Sequence, residues 1–173
     1  MIPVSNGMVQ LLWLSGYGGL LLTAVLTDLH ALRIPNLIPL LLTGLFVVVA
    51  ALLVMTARPV DWLSHLLAGG IVFAAGLGLF AWGKIGGGDV KLLTAVALWH
   101  GLYLLPALLL WTALLGGVLG LAFLVLRKSG LAAVLAASGV PSVALEDDAG
   151  IPYAVAIVAA CALMLRELPF LTH

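Results

Sequence analysis

Two carboxylates stand out for the chemistry they could do. Asp28 lies in Leu26-Thr27-Asp28-Leu29-His30, and Asp89 follows Gly86-Gly87-Gly88. Both fall beside long apolar runs, where an ionisable group is costly and is a functional candidate by default. Two carboxylates sharing a poorly hydrated site cannot easily both ionise, so one proton is shared between them. Such a pair can hydrolyse an amide: the ionised member takes a proton from water, and the protonated member gives one to the carbonyl oxygen. Each residue also has a plainer account. Asp28, near a helix C-terminus, could simply reach headgroups and water. Asp89 could be a helix N-cap, worth about 1 kcal/mol. Three glycines ahead of Asp89 remove side chains from the backbone, so another chain could approach closely. Residue order alone leaves open whether the two carboxylates meet.

The elements that must position them are set by composition. The 173 residues are 64% hydrophobic and 8% charged, against about 45–50% apolar and about 25% charged in soluble domains. That balance excludes a soluble globular enzyme, a disordered chain and a nucleic-acid binder, and points to an all-α, polytopic integral membrane protein. Apolar segments separated by short polar punctuation predict about six transmembrane helices: Met8–Leu32, Asn36–Met55, Asp61–Trp82, Asp89–Trp99, Leu104–Leu126 and Ile151–Leu168. The fourth is short for a full span. The first ends where Ile34-Pro35 disfavours helical geometry. The first seven residues carry no basic side chain, and the apolar stretch after them is too long for a signal core, so it reads as a helix rather than a cleavable signal. One domain, 1–173, is expected, with 129–150 as its long cytoplasmic loop. With the N-terminus outside, Arg33, Lys84, Lys91, Arg127 and Lys128 face the cytoplasm while Arg58 and Arg166 face out, as the excess of positive charge on the cytoplasmic side requires.

Three blocks now carry a resemblance. Asp28 with Arg33-Ile34-Pro35-Asn36, then Gly86-Gly87-Gly88-Asp89-Val90-Lys91-Leu92, then Ile151-Pro152-Tyr153-Ala154-Val155-Ala156-Ile157 together resemble the prepilin peptidases, polytopic aspartic peptidases of the Gly-x-Gly-Asp type. The likeness spans residues 28 to 157. The small size is similar to the short members of the Cpa/Tad branch that serve tight-adherence (Flp-type) pili. The resemblance implies an aspartic endopeptidase that cuts the basic leader from prepilins or pseudopilins at the cytoplasmic face of the inner membrane. It implies Asp28 and Asp89 as the catalytic pair, Gly86 and Gly88 as shapers of the backbone beside Asp89, and Lys91, Pro35 and Asn36 as motif positions. Long family members add a zinc-binding Cys-x-x-Cys region and methylate the new N-terminus. This chain holds one cysteine, Cys161, so no cofactor, no metal and no separate methyltransferase domain are expected. The expected partners are the prepilin or pseudopilin helix and the lipid bilayer, with a second copy of the chain left open and nucleic acid excluded.

The other polar residues read more plainly. Lys91 could be a snorkelling lysine at a helix start, Pro35-Asn36 an ordinary turn, and Pro152 a first-turn proline. His65 and His100 read as hydrogen-bonded core groups, and His30, two residues from Asp28, points elsewhere. Cys161 reads as a buried small hydrophobe. The five tryptophans fall mostly near span ends, as interfacial belts do. Glu146-Asp147-Asp148 could attract a basic leader. Two other classes compete. A small proton- or cation-coupled transporter subunit would place its carboxylates near mid-membrane, whereas both aspartates here read as edge residues. A non-catalytic scaffold would tolerate Asp28→Asn.

Overall fold

The structure, a computed structural model, describes residues 6–129 and 150–168, with side chains from Trp13 onward. Most of the long loop, including Glu146-Asp147-Asp148, lies outside the described residues. Within them the chain is helical, with no strand: α1 Asn6–Ala31, α2 Leu37–Met55, α3 Trp62–Ala81, α4 Gly87–Lys128 and α5 Ala154–Leu163, followed by a 3-10 turn at Leu165–Glu167. α2, α3 and α4 are long and apolar enough to cross a membrane. Leu40, Met55, Leu66 and Val118 point outward and are exposed, the surface of a protein whose solvent is lipid.

Helix ends follow local chemistry. Asp61 caps α3 by accepting from the Ser64 N–H at 3.1 Å, as a favoured N-cap residue does. α2 ends with Ala57 in left-handed geometry (φ 59°). There the Ala57 N–H donates to the Val54 carbonyl and the Arg58 N–H to the Leu53 carbonyl, a Schellman ending. α3 ends the same way on Gly83 (φ 66°), with its N–H on Phe80 and that of Lys84 on Leu79. α1 ends on Leu32 (φ 49°), whose N–H donates to the Asp28 carbonyl at 2.8 Å.

The expected fourth and fifth helices form a single run broken at Gly101. Its φ of 69° and ψ of 177° lie in a region open essentially to glycine alone. Gly101 has no side chain to cap the second arm, so α3 supplies one: the Leu102 N–H donates to Ser64 Oγ at 2.9 Å. The first arm, 87–100, is only about 20 Å long, short of a hydrocarbon core of roughly 30 Å. The expected sixth helix, 151–168, shortens to 10 residues plus one turn. Pro152 stands ahead of it rather than in its first turn, and Tyr153 is its N-cap.

The core joins α1, α2 and α4. Trp13 and Tyr17 of α1 and Phe46 of α2 pack around Trp99 of α4, with ring centroids 4.7 to 6.1 Å apart. The Trp99 Nε1–H donates to the Leu42 carbonyl at 3.1 Å. Trp13 and Trp99 are wholly buried, which corrects the expectation of an interfacial belt for these two; Trp62, Trp82 and Trp111 are exposed. The indoles went inside because three apolar helices meet at their level and a large ring fills that space. His65 and His100 are buried as expected, each with Nδ1 within hydrogen-bond distance of a carbonyl, Leu98 at 2.6 Å and Val96 at 2.9 Å.

Helix directions bring the end of α1 and the start of α4 together. The α1–α2 turn and the turn before α4 lie at the same end of the bundle and line one cavity. The second arm of α4 returns to that end. Arg127 Nη2 donates to the Gly150 carbonyl at 2.9 Å, and Gly150 lies beside Leu32.

Candidate active site

Asp28 sits in the last turn of α1 and is buried, with 4% of its surface exposed. Its backbone carbonyl is occupied by the Leu32 N–H. Its side chain is held by α5: Oδ2 accepts from the Ala154 N–H at 2.9 Å. The N-terminus of a helix presents unpaired N–H groups and the positive end of the helix dipole, so α5 offsets part of the cost of a carboxylate placed at the opposing end of α1. Sequence reasoning missed this partner. The donor is a backbone group 126 residues away in the chain, which no side-chain type could flag.

Asp89 lies in the first turn of α4 and is half-buried. It is not the N-cap: the helix starts at Gly87, with Gly86 extended in the cap position (φ −71°, ψ 142°). Asp89 is therefore the third helical residue, from which an acidic side chain can reach back to the cap. It does so, and a Cβ on Gly86 would stand 2.8 Å from Asp89 Oδ2. Gly86 leaves room for the carboxylate itself.

Gly88 serves a different contact. A Cβ there would meet Ile34 Cβ at 3.2 Å and the Ile34 backbone nitrogen at 3.6 Å. The turn after α1 rests directly on the backbone of the glycine run. One turn further along α4, Lys91 Nζ donates to Asn36 Oδ1 at 2.8 Å. Thus Lys91 has a partner within the protein, and Asn36 belongs to the wall opposite it.

These contacts enclose a cavity of about 440 Å³ lined by both carboxylates, by residues 32–36 of the α1–α2 turn, including Pro35 and Asn36, and by Gly86, Gly87 and Gly88. All seven residues singled out in the sequence are brought to this end of the bundle, Lys91 just outside the cavity wall. Tyr153, which sequence reasoning left without a role, is the N-cap of α5, next to the Ala154 whose N–H holds Asp28. Both carboxylates stand at helix ends rather than mid-helix. Among the described residues no group of three or more His, Cys, Asp or Glu is arranged to hold a metal ion. What the cavity offers is two carboxylates in one wall and a stretch of side-chain-free backbone.

Part of the chain is similar to known proteins. A curated relative from Bacillus subtilis (strain 168), named prepilin leader peptidase/N-methyltransferase, is 35% identical over 106 residues, which is 60% of this chain and 41% of that protein. The match thus spans well under half of the relative's length. No solved structure matches the chain. The model of the type IV leader peptidase family matches residues 16–121, more than half of the chain and a stretch that contains both aspartates, the α1–α2 turn and the whole glycine run; the chain belongs to that family.

Proposed function

We propose that this protein is a membrane-embedded aspartic endopeptidase that removes the basic leader from prepilins or pseudopilins, with Asp28 and Asp89 as the catalytic pair. The observation that carries the reading is the pairing itself: two carboxylates far apart in the chain, both within the family match, line one cavity beside backbone stripped of side chains. The leader junction lies extended along Gly86–Gly88. One ionised aspartate takes a proton from water as it attacks the scissile carbonyl, and the protonated partner donates to the carbonyl oxygen. Collapse of the tetrahedral intermediate returns a proton to the leaving amine. The cavity end of the bundle faces the cytoplasm of the inner membrane, in keeping with Arg33, Lys84, Lys91 and Arg127 gathered there. The substrate proposed is a prepilin of the Flp type. Leader removal alone is expected, and the mass of the new N-terminus reports whether a methyl group is added.

The test is cleavage of co-expressed prepilins, several leaders being tried, by the wild type, Asp28→Asn and Asp89→Asn at equal membrane levels. Each substitution should slow cleavage by about 100- to 10,000-fold. The double variant should be no worse than the poorer single one, because the pair acts as a unit. Normal cutting by either variant would sink the paired-carboxylate mechanism.

A further inference from the structure

We propose that Lys91 is a positioning residue. Its hydrogen bond to Asn36, together with the seat of Ile34 on Gly88, is a latch that sets the separation of the two carboxylates. The inference rests on the catalytic reading above only for its effect on cleavage; the latch itself is a matter of geometry.

The two aspartates belong to different elements and stand 61 positions apart in the chain. Asp28 is placed by α1, and the chain leaves it through the left-handed turn at Leu32. Asp89 is placed by α4. Two direct contacts join the turn to α4 at the cavity. One is the approach of Ile34 to the Gly88 backbone, which limits how near the turn can come. The other is the bond of 2.8 Å from Lys91 Nζ to Asn36 Oδ1, which limits how far it can swing away. A contact that only repels and a bond that only restrains define a distance together, and neither does so alone. Asn36 lies one residue ahead of α2 and its side chain makes no cap bond to that helix, so its amide oxygen is left for Lys91. Lys91 is exposed, yet its ammonium is directed along the outside of α4 to this oxygen. A lysine that merely snorkelled to headgroups would have no need of Asn36.

The test has an activity arm and a structural arm. In the first, Lys91→Met, Asn36→Ala and the double variant are assayed for prepilin cleavage. Each single variant should lower kcat about three- to tenfold, the range of one net hydrogen bond, with KM unchanged. The double variant should be no worse than the poorer single one. In the structural arm, cysteines replace Ile34 and Gly88, whose ideal Cβ separation of 3.2 Å is close to the roughly 3.5–4.5 Å of a disulfide. Cys161, buried, is replaced by Ala. Oxidation should cross-link the pair quickly, and adding Lys91→Met or Asn36→Ala should slow cross-linking several-fold. Cleavage that falls with Lys91→Met but not with Asn36→Ala overturns the latch and makes Lys91 a contact for substrate or lipid. Cross-linking indifferent to both substitutions overturns it as well. Absence of cleavage by the wild type, with cross-linking still dependent on Lys91, defeats the catalytic reading and upholds the latch.

Discussion

Gly86 and Gly88 look interchangeable in a Gly-x-Gly-Asp motif, but they are small for different reasons, and the difference can be measured. At Gly86 an added Cβ would collide with the Asp89 carboxylate, 2.8 Å away. At Gly88 it would press on Ile34 at 3.2 Å, a contact that a shift of a few tenths of an ångström in the turn relieves. Gly86→Ala therefore displaces a reacting group, and Gly88→Ala only its surroundings. Cleavage should fall about 100-fold for Gly86→Ala, the scale of a misplacement of about 1 Å. For Gly88→Ala the loss should be about tenfold or less. Comparing the two rates at matched membrane levels checks the assignment; a larger loss from Gly88→Ala would reverse it. Asp28 shows the same principle from the other side: its partner is a backbone N–H, so no substitution at Ala154 other than proline removes the bond.

At the scale of elements, the helix ends decide where the site lies. Left-handed residues close α1, α2 and α3, and only α3 uses glycine, at Gly83. Ala57, at the end of α2, carries a Cβ in a region that costs an L-residue roughly 1–2 kcal/mol. Ala57→Gly should stabilise the protein by about 0.5 kcal/mol once the extra freedom of glycine in the unfolded chain is set against the relieved strain. Ala57 is exposed and at the far end of α2 from the cavity, so unfolding in detergent should shift while cleavage does not. Gly101 is the opposite case. Its φ of 69° with ψ of 177° excludes a side chain, and Ser64 Oγ lies 3.1 Å from where a Cβ would stand. Gly101→Ala should destabilise the protein by about 1–3 kcal/mol, read as an earlier transition in the same unfolding experiment.

The whole molecule matters because the site is assembled from distant parts. α5 is placed by the second arm of α4, where the Tyr153 ring fills the space above Gly116. A Cβ on Gly116 would run into Tyr153 Cε2. Tyr153 adjoins Ala154, whose N–H holds Asp28. Gly116→Ala should therefore push the start of α5 aside and cut cleavage about tenfold or more, the cost of losing a hydrogen bond to a charged group, although Gly116 is not in the cavity wall. A companion Tyr153→Ala, which empties the crowded space, should recover part of that loss in the double variant. Strict additivity of the two effects would show that Gly116 and Tyr153 do not act through one contact.

Much of this was legible in the residue order. An 8% charged chain has so few ionisable groups that each can be weighed, and the cost of a charge in lipid singles out Asp28 and Asp89 without any fold. Proline, glycine and apolar run length placed α2 and α3 to within a residue or two, because turn chemistry is local. The break at Gly101 was bracketed between two expected helices for the same reason. What tertiary structure alone decided depends on contacts between segments far apart in the chain. Trp13 and Trp99 are core rather than interface residues because α1, α2 and α4 happen to converge on them. The helix at 151–168 proved short, since apolar composition does not distinguish a span from a segment packed against its neighbours. The hold of Ala154 on Asp28, the bond from Lys91 to Asn36 and the fit of Tyr153 over Gly116 follow from no local pattern. Residue types declare which groups are costly enough to need a partner; only the packing of helices selects which partner each one meets.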